Sequence, residues 1–284
     1  MKLLNSNKIF LLIFCLAAFD AHAMLRALNT AATGMAAQEM NVSTISNNIA
    51  NVNTIGYKKN RTEFDTLLYQ TVEEAGARSD ANTVYNVGTQ IGSGTKVSAV
   101  RKEFSQGSPQ ITNNPFDLMI NGDGFFGILL PNQEVKYTRD GAFNVDSQGN
   151  LVNKNGYRVV PGIVVPAGTI NVNITEDGLV EAFTSGQVEP TQVGQIPLFT
   201  FINPVGLKSI GQNLYTVTSA SGQPVSNIAG QNNAGVVQQG SLEASNVSIM
   251  NEMTDLIKAQ RAYEMNSRVM KVADEMLQTV NNIR

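Results

Sequence analysis

The sequence predicts an α+β fold, in which long N- and C-terminal helices pair as a coiled coil and a central, mainly antiparallel β domain lies between them in the chain. Three observations carry this. Ile249 to Arg284 holds a seven-residue apolar repeat with no Gly or Pro, and Leu25 to Asn53 shows apolar residues at helical spacing. All nine prolines fall between Pro109 and Pro224, together with Gly-containing turn dipeptides that punctuate short alternating runs.

The C-terminal stretch is the most regular. Ile249, Leu256, Tyr263, Met270 and Leu277 recur at intervals of seven, with Met253, Ala259, Ala273 and Val280 flanking them at three- and four-residue offsets. Oppositely charged residues sit at helix-neighbour spacing on the remaining surface: Asp255 with Lys258, Glu264 with Arg268, Lys271 with Glu275. Such a helix is roughly 50 Å long at about 1.5 Å per residue, more than one small core needs, so its seam calls for a partner. Fully burying each large seam residue stabilises by about 1.5–3 kcal/mol. The alternative is a long core helix of a self-contained bundle, but only one other stretch has comparable helical character.

That stretch is Leu25–Asn53. Leu25, Leu28, Ala32 and Met35 follow helical spacing, and Val42, Ile45, Ile49 and Val52 do so again after a phase shift near Glu39. Its polar side is rich in Asn, Ser, Thr and Gln, so docking on a partner helix is expected to supply most of its order. Gly56 offers a turn after Asn51–Thr54, where Asn side chains bond to nearby backbone.

Between the helices, Asp140-Gly141, Gly149-Asn150 and Asn155-Gly156 are expected to supply positive φ for hairpin turns. Further strands are expected at residues 162–166, 170–174, 179–184, 195–201 and 213–218. Leu67 to Thr95 is acidic and contains Gly and Ser, which reads as an extended linker or a hairpin-like extension. The resulting division is 1–23 for a signal-like or misread start, 24–66 for the N-terminal helix with the motif at its end, 67–105 for the linker or brace, 106–240 for the β domain and 241–284 for the C-terminal helix.

The first 23 residues read as a secretory signal, with Lys2 and Lys8, an apolar run from Ile9 to Phe19, and Ala21-His22-Ala23 as a small-x-small pattern. A misread start upstream of Met24 is the other reading, and both leave a chain that begins at or next to Met24. The apolar run is too short to span a bilayer. Phe14 before the single cysteine, Cys15, argues against a lipidated start.

Composition and motifs exclude most chemistry. A net charge of −3 gives no electrostatic footprint for nucleic acid. Downstream of residue 23 there is neither Cys nor His, which removes disulfides, thiol nucleophiles, imidazole catalysis and most zinc or iron sites. Gly122-Asp-Gly-Phe-Phe-Gly127 matches a dinucleotide-loop string, but an apolar strand pattern comes next where a helix must begin. Gly92-Ser-Gly94-Thr-Lys96 has the glycines of a phosphate loop in the wrong order and reads as a turn. Asp117, Asp123, Asp140, Asp146 and Asp177 stand beside turn residues and are expected to be solvated turn carboxylates rather than an acid–base pair. No cofactor, metal or small-molecule substrate is called for.

Two strings carry a family resemblance. Ser46-Asn-Asn-Ile-Ala-Asn-Val-Asn-Thr-Ile-Gly-Tyr-Lys-Lys-Asn-Arg61 resembles the signature that ends the N-terminal helix of bacterial flagellar rod and hook proteins. Its matching positions are Ala50, Asn51, Asn53, Thr54, Gly56, Tyr57 and Lys58. Ser245-Asn-Val, then Glu252-Met and Leu256-Ile-Lys-Ala-Gln-Arg-Ala-Tyr-Glu-Met-Asn-Ser-Arg268, are similar to the C-terminal signature, with Gln260, Arg261, Ala262, Tyr263 and Glu264 as the matching positions. Between them, Leu67-Leu-Tyr-Gln-Thr71, Gln90-Ile-Gly-Ser-Gly94, Asn121-Gly-Asp-Gly-Phe-Phe126, Tyr137-Thr-Arg-Asp-Gly-Ala-Phe143 and Gly211-Gln-Asn-Leu-Tyr215 resemble the distal-rod branch in particular. The resemblance spans Met24 to Arg284 and leaves the first 23 residues unmatched, whereas members of this family leave the cytoplasm by type III export without a cleaved peptide.

The resemblance implies an axial, helical homopolymer in the flagellar basal body, crossing the periplasm, with other rod and hook subunits and the surrounding ring proteins as partners. It also implies that the paired terminal helices line a central channel. The two seams then nominate an assembly interface of Leu25, Leu28, Met35, Val42, Ile45 and Ile49 on the first helix and Ile249, Met253, Leu256, Tyr263, Met270 and Leu277 on the second. The alternative is a secreted β-rich adhesin or envelope-binding module tethered by its helices. A peptidoglycan hydrolase lacks a catalytic set.

Overall fold

The computed structural model describes residues 3–76, 78–80, 83–84, 86–186 and 189–282. It is α+β: helix α1 spans Leu3–Ala50, helix α2 spans Ile249–Asn282, and short strands fill the chain between them. The residues form two compact units, one of them holding the described residues up to Asn47, Arg61–Arg101 and those from Met250 on, the other holding Asn48–Asn60 and Lys102–Ile249.

In the first unit, α1 starts well before the predicted Leu25. The signal-like segment contributes backbone from Leu3 onward, while Met1, Lys2 and the side chains up to Ala23 lie outside the described residues. No Gly or Pro occurs before Gly34, and the Leu and Ala residues of the segment favour a helix. The helix stops at Ala50, three residues short of the predicted end, because Asn51, Val52 and Thr54 donate their backbone N–H groups to Asn48, Ile49 and Asn51 in successive tight turns. On α2, the Val280 side chain lies outside the described residues.

The stretch read as linker or hairpin is a hairpin. Tyr69–Glu73 pairs antiparallel with Thr89–Gly92, and between them in the chain Arg78–Asp80 pairs with Thr83–Val84 as a separate short ladder, whereas residues 77, 81, 82 and 85 lie outside the described residues. Strands Asn60–Thr66 and Thr95–Lys102 pair at its base. Gly94 sits at φ +113° against α1, where a Cβ would collide with Thr33 Oγ1, so the turn needs glycine.

The second unit is built on a nine-stranded sheet, antiparallel in each of its pairings. Phe125–Leu129 is its centre: it pairs along its length with Val135–Thr138, and also with Arg158–Val159 and Leu198–Thr200. Alternation along this strand splits two cores. Phe126 and Ile128 join Leu118, Ile120, Phe143 and Leu198 on one side, and Phe125 joins Tyr137, Leu207 and Tyr215 on the other. The second core is a set of edge-to-face aromatic pairs, Phe125 to Phe104 at 5.5 Å, Phe125 to Tyr215 at 5.9 Å and Tyr137 to Phe201 at 4.9 Å. Burial there pushes the phenols of Tyr137 and Tyr215 above their ordinary range. A three-stranded sheet of Thr169–Ile174, Leu179–Thr184 and Thr191–Gln195 completes the unit.

Some local expectations are corrected. Gly149 and Gly156 have positive φ, but Gly141 does not. Gly141 is needed for close approach instead. Its carbonyl accepts the Leu118 N–H at 3.0 Å, and a Cβ on it would run into the Leu118 carbonyl oxygen. Residues 162–166 form only a bridge between Val164 and Asn150. The strand after Gly122-x-Gly124 is Phe125–Leu129, with both glycines at positive φ in the turn before it.

Gly141→Ala is expected to destabilise the second unit by roughly 1–3 kcal/mol, the range for forced overpacking of a buried site. Chemical denaturation followed by tyrosine fluorescence measures it, since the chain has no Trp. An unchanged midpoint would show that the Leu118 strand gives way freely.

Candidate assembly site

The segment after α1 is held by a buried ionic cluster. Lys58 is fully buried and its Nζ lies 2.6 Å from Glu243 Oε1, while it also donates to the Ser105 carbonyl at 2.7 Å. Glu243 Oε1 accepts the Gly107 N–H at 2.9 Å, and Oε2 faces Arg139 Nη1 at 3.4 Å. Arg139 in turn donates to the Gly122 carbonyl at 2.9 Å, and its guanidinium stands 5.3 Å from the Phe125 ring centre. Burial pushes the Lys58 ammonium and the Arg139 guanidinium below their ordinary values, and the Glu243 carboxylate opposes that shift in both.

Hydrogen bonds complete the fastening. Gly56, at φ +66°, donates its N–H to the Glu243 carbonyl at 2.8 Å, and a Cβ there would stand 2.6 Å from Asp140 N. Asn213 Nδ2 donates to the Ile55 carbonyl, and the Lys59 N–H donates to Asn246 Oδ1, both at 2.8 Å. Asn48 Oδ1 accepts from the Asn60 N–H and the Tyr57 hydroxyl, and Asn48 Nδ2 returns a bond to the Asn60 carbonyl. Lys102 lies over the Tyr57 ring at 5.4 Å and the Tyr215 ring at 5.9 Å. The residues after α1 and those that precede α2 are therefore tied to each other inside one unit.

Of the N-terminal motif positions, Gly56, Tyr57 and Lys58 are buried in this fastening, Asn51 and Thr54 form the turn through a 3.2 Å side-chain bond, and Ala50 and Asn53 face solvent. On α2, Gln260, Arg261 and Glu264 are exposed, with Arg261 paired to Glu264 at 3.0 Å, and Ala262 is half-buried beside them.

The nominated interface residues divide by exposure. On α1, Ile45 is buried, Leu28, Met35, Val42 and Ile49 are less exposed than Leu25, which is 52% exposed. On α2, Leu256, Met270 and Leu277 are half-buried, while Ile249, Met253 and Tyr263 are 43–50% exposed. The most buried row of α2 is Glu252, Ala259 and Ala273, offset from the large residues by a fraction of a turn, with half-buried Asn266 in the same seven-residue series. On α1 the buried residues include Ala31, Ala37 and Thr44, and a Cβ on Gly34 would stand 2.8 Å from Asn266 Nδ2.

Sequence reasoning missed two things. One is a further set of exposed apolar residues on α2, Met250 and Ile257 beside the nominated Met253, then Met265, Val269, Val272 and Met276, each of the seven 42–75% exposed. The 4-3-4 spacing of its last four members was its signal. The other is Glu243 with Arg139. Glu243 is the sole charged residue from Ser209 to Asn251, a signal that it has a buried partner. Among the suspected acids, Asp117 and Asp140 are buried rather than solvated: Asp140 accepts the Ala142 N–H at 3.1 Å and pairs with Lys154 at 3.0 Å, and Asp117 accepts from Asn114. Asp146 caps its own turn, and its bonds from Asn150 hold its carboxyl below the usual range.

Three family descriptions match the chain: "Flagella basal body rod protein" over residues 28–58, "Flagellar hook protein FlgE/F/G D1 domain" over 119–182 and "Flagellar basal body rod FlgEFG protein C-terminal" over 238–283. The flagellar basal-body rod protein FlgG of Borreliella burgdorferi is 48% identical over 92% of this chain and 99% of its own length. The chain belongs to the flagellar basal-body rod family. FlgG of Caulobacter vibrioides is 47% identical over 92% of this chain and 100% of its own length, and FlgG of Bacillus subtilis is 36% identical over the same shares. Membership in the distal-rod branch makes the chain a structural subunit of the flagellar basal body, not an enzyme, and implies self-assembly with rod and hook subunits. The adhesin reading finds no support in these relatives.

Glu243→Gln is expected to lower stability by about 3–5 kcal/mol, because Lys58 and Arg139 remain buried without their counter-charge. Lys58→Met is expected to cost less, since Arg139 still pairs with Glu243. Urea titrations of both variants compare them; equal losses would show that Arg139 carries none of the pairing.

Proposed function

We propose that this rod-family subunit polymerises axially through its terminal helices into a straight helical homopolymer that transmits torque. In this reading α1 and α2 of one chain pair as a coiled coil along the small-residue rows, and the outward row of α2 docks against a second copy. Other rod and hook subunits continue the stack, and the surrounding ring proteins flank it. The outward row supports this most directly: seven large apolar residues, each 42–75% exposed on one helix, form a surface that a free soluble chain has no reason to keep. Membership in a family of rod subunits supports another such subunit as the occupant.

The test separates the rows. Leu256→Asp on the inner row and Val269→Asp on the outer row each place a carboxylate where hydrocarbon packs, at a cost of several kcal/mol, and both are expected to abolish rod assembly and motility on complementation. The strand signal in circular dichroism should persist in both. Lys258→Gln, which breaks an exposed pair with Asp255 at 2.9 Å, should change little, because such pairs contribute a few tenths of a kcal/mol. Full motility with Val269→Asp would remove the outer row from assembly.

The hairpin at residues 69–92 is proposed as a brace between neighbouring subunits. It is fastened at Gly94 against α1 and by Arg26 Nη1 donating to Gln70 Oε1 at 3.4 Å, and it exposes Leu68, Tyr69 and Val72. Deleting part of Glu73 to Asn86 is expected to allow polymerisation but to give bent or flexible rods in electron micrographs. Straight rods of normal stiffness would end this role.

A further inference from the structure

The outward row of α2 is rich in sulfur. Of ten methionines in the chain, Met250, Met253, Met265 and Met276 lie on it and are 75, 50, 63 and 51% exposed, whereas Met119 is buried in the β domain at 2%. No cysteine occurs after Cys15, so downstream of it thioethers are the only sulfur available to an oxidant. We infer that this methionine row is an oxidation site that blocks assembly of the free subunit; the inference rests on the assembly reading above. A two-electron oxidant such as hydrogen peroxide transfers one oxygen: the thioether sulfur attacks the peroxide, the O–O bond breaks, and methionine sulfoxide and water are left. The sulfoxide replaces a soft apolar contact with a strong acceptor dipole. The neighbouring row members Ile257, Val269 and Val272 offer no side-chain donor, so a new oxygen docked against them would be buried unsatisfied, while Arg261 and Arg268 stand at helix-neighbour spacing from Met265. Inside a finished polymer the same sulfurs would be covered, so the sensitivity belongs to subunits before incorporation.

Purified full-length chain treated with dilute hydrogen peroxide and mapped by peptide mass spectrometry is expected to gain oxygen at the four row methionines well before Met119. The treated chain should lose polymer formation by sedimentation and electron microscopy, and methionine sulfoxide reductases of both stereospecificities should restore it. A chain carrying Met250→Leu, Met253→Leu, Met265→Leu and Met276→Leu should polymerise and remain competent after peroxide. Oxidation of Met119 as fast as the row, undiminished polymerisation of the oxidised chain, or equal peroxide sensitivity of the leucine variant would each overturn the inference. Failure of the untreated chain to polymerise would instead sink the assembly reading, while the order of oxidation would still judge the exposure of the row.

Discussion

The pairing of Lys58 with Glu243, shared by Arg139, is the constraint on which the rest depends. Two cations and a carboxylate are held almost fully out of water, which is tolerable only because Ser105, Gly107 and Gly122 supply backbone groups where side-chain charges run out. Such a cluster adds little net stability over a hydrocarbon plug of the same shape, but it is unforgiving of misplacement. What it secures is the identity of the connection. Lys58, eight residues after α1 ends, is joined to Glu243, six before α2 begins, across 185 positions of the chain.

The family signature therefore has a physical meaning that differs from an interface code. Gly56 is required by its φ and by the backbone of Asp140 pressed against it; Tyr57 stacks beneath Lys102; Lys58 enters the cluster. These positions serve the inside of a subunit. The C-terminal signature is of the opposite kind, with Gln260, Arg261 and Glu264 left on the surface of α2.

Much of this is legible in the sequence because it is periodic or local. The two helices announce themselves by spacing, the turns by their glycines, and the Phe125–Leu129 strand by the apolar run directly after Gly122 and Gly124. The row buried inside the chain is less legible, since a reading that weights large apolar residues picks Ile249, Met253 and Tyr263 over Ala259 and Ala273, although close helix approach selects the small ones. The role of Gly141 is hidden because its need for glycine comes from Leu118, a neighbour in space rather than in sequence. The ionic cluster is only half legible for the same reason: the isolation of Glu243 among uncharged residues signals a buried partner, but nothing near it in the chain shows that Lys58 and Arg139 converge on it. Asp117 and Asp140 are similar cases, as turn residues whose turns happen to be covered.

The notch at Gly34 has one more consequence, which concerns measurement rather than strength. Asn266 fits against Gly34 because no side chain stands there, and a slip of one heptad would bring it to Ala27 or Asn41, where one does. A missing methyl group thus acts as the zero mark of a ruler. In the proposed polymer every copy would read its helices from the same mark, so small errors in one subunit would not be handed on to the next, and a long object built from many copies would keep a single unit of length.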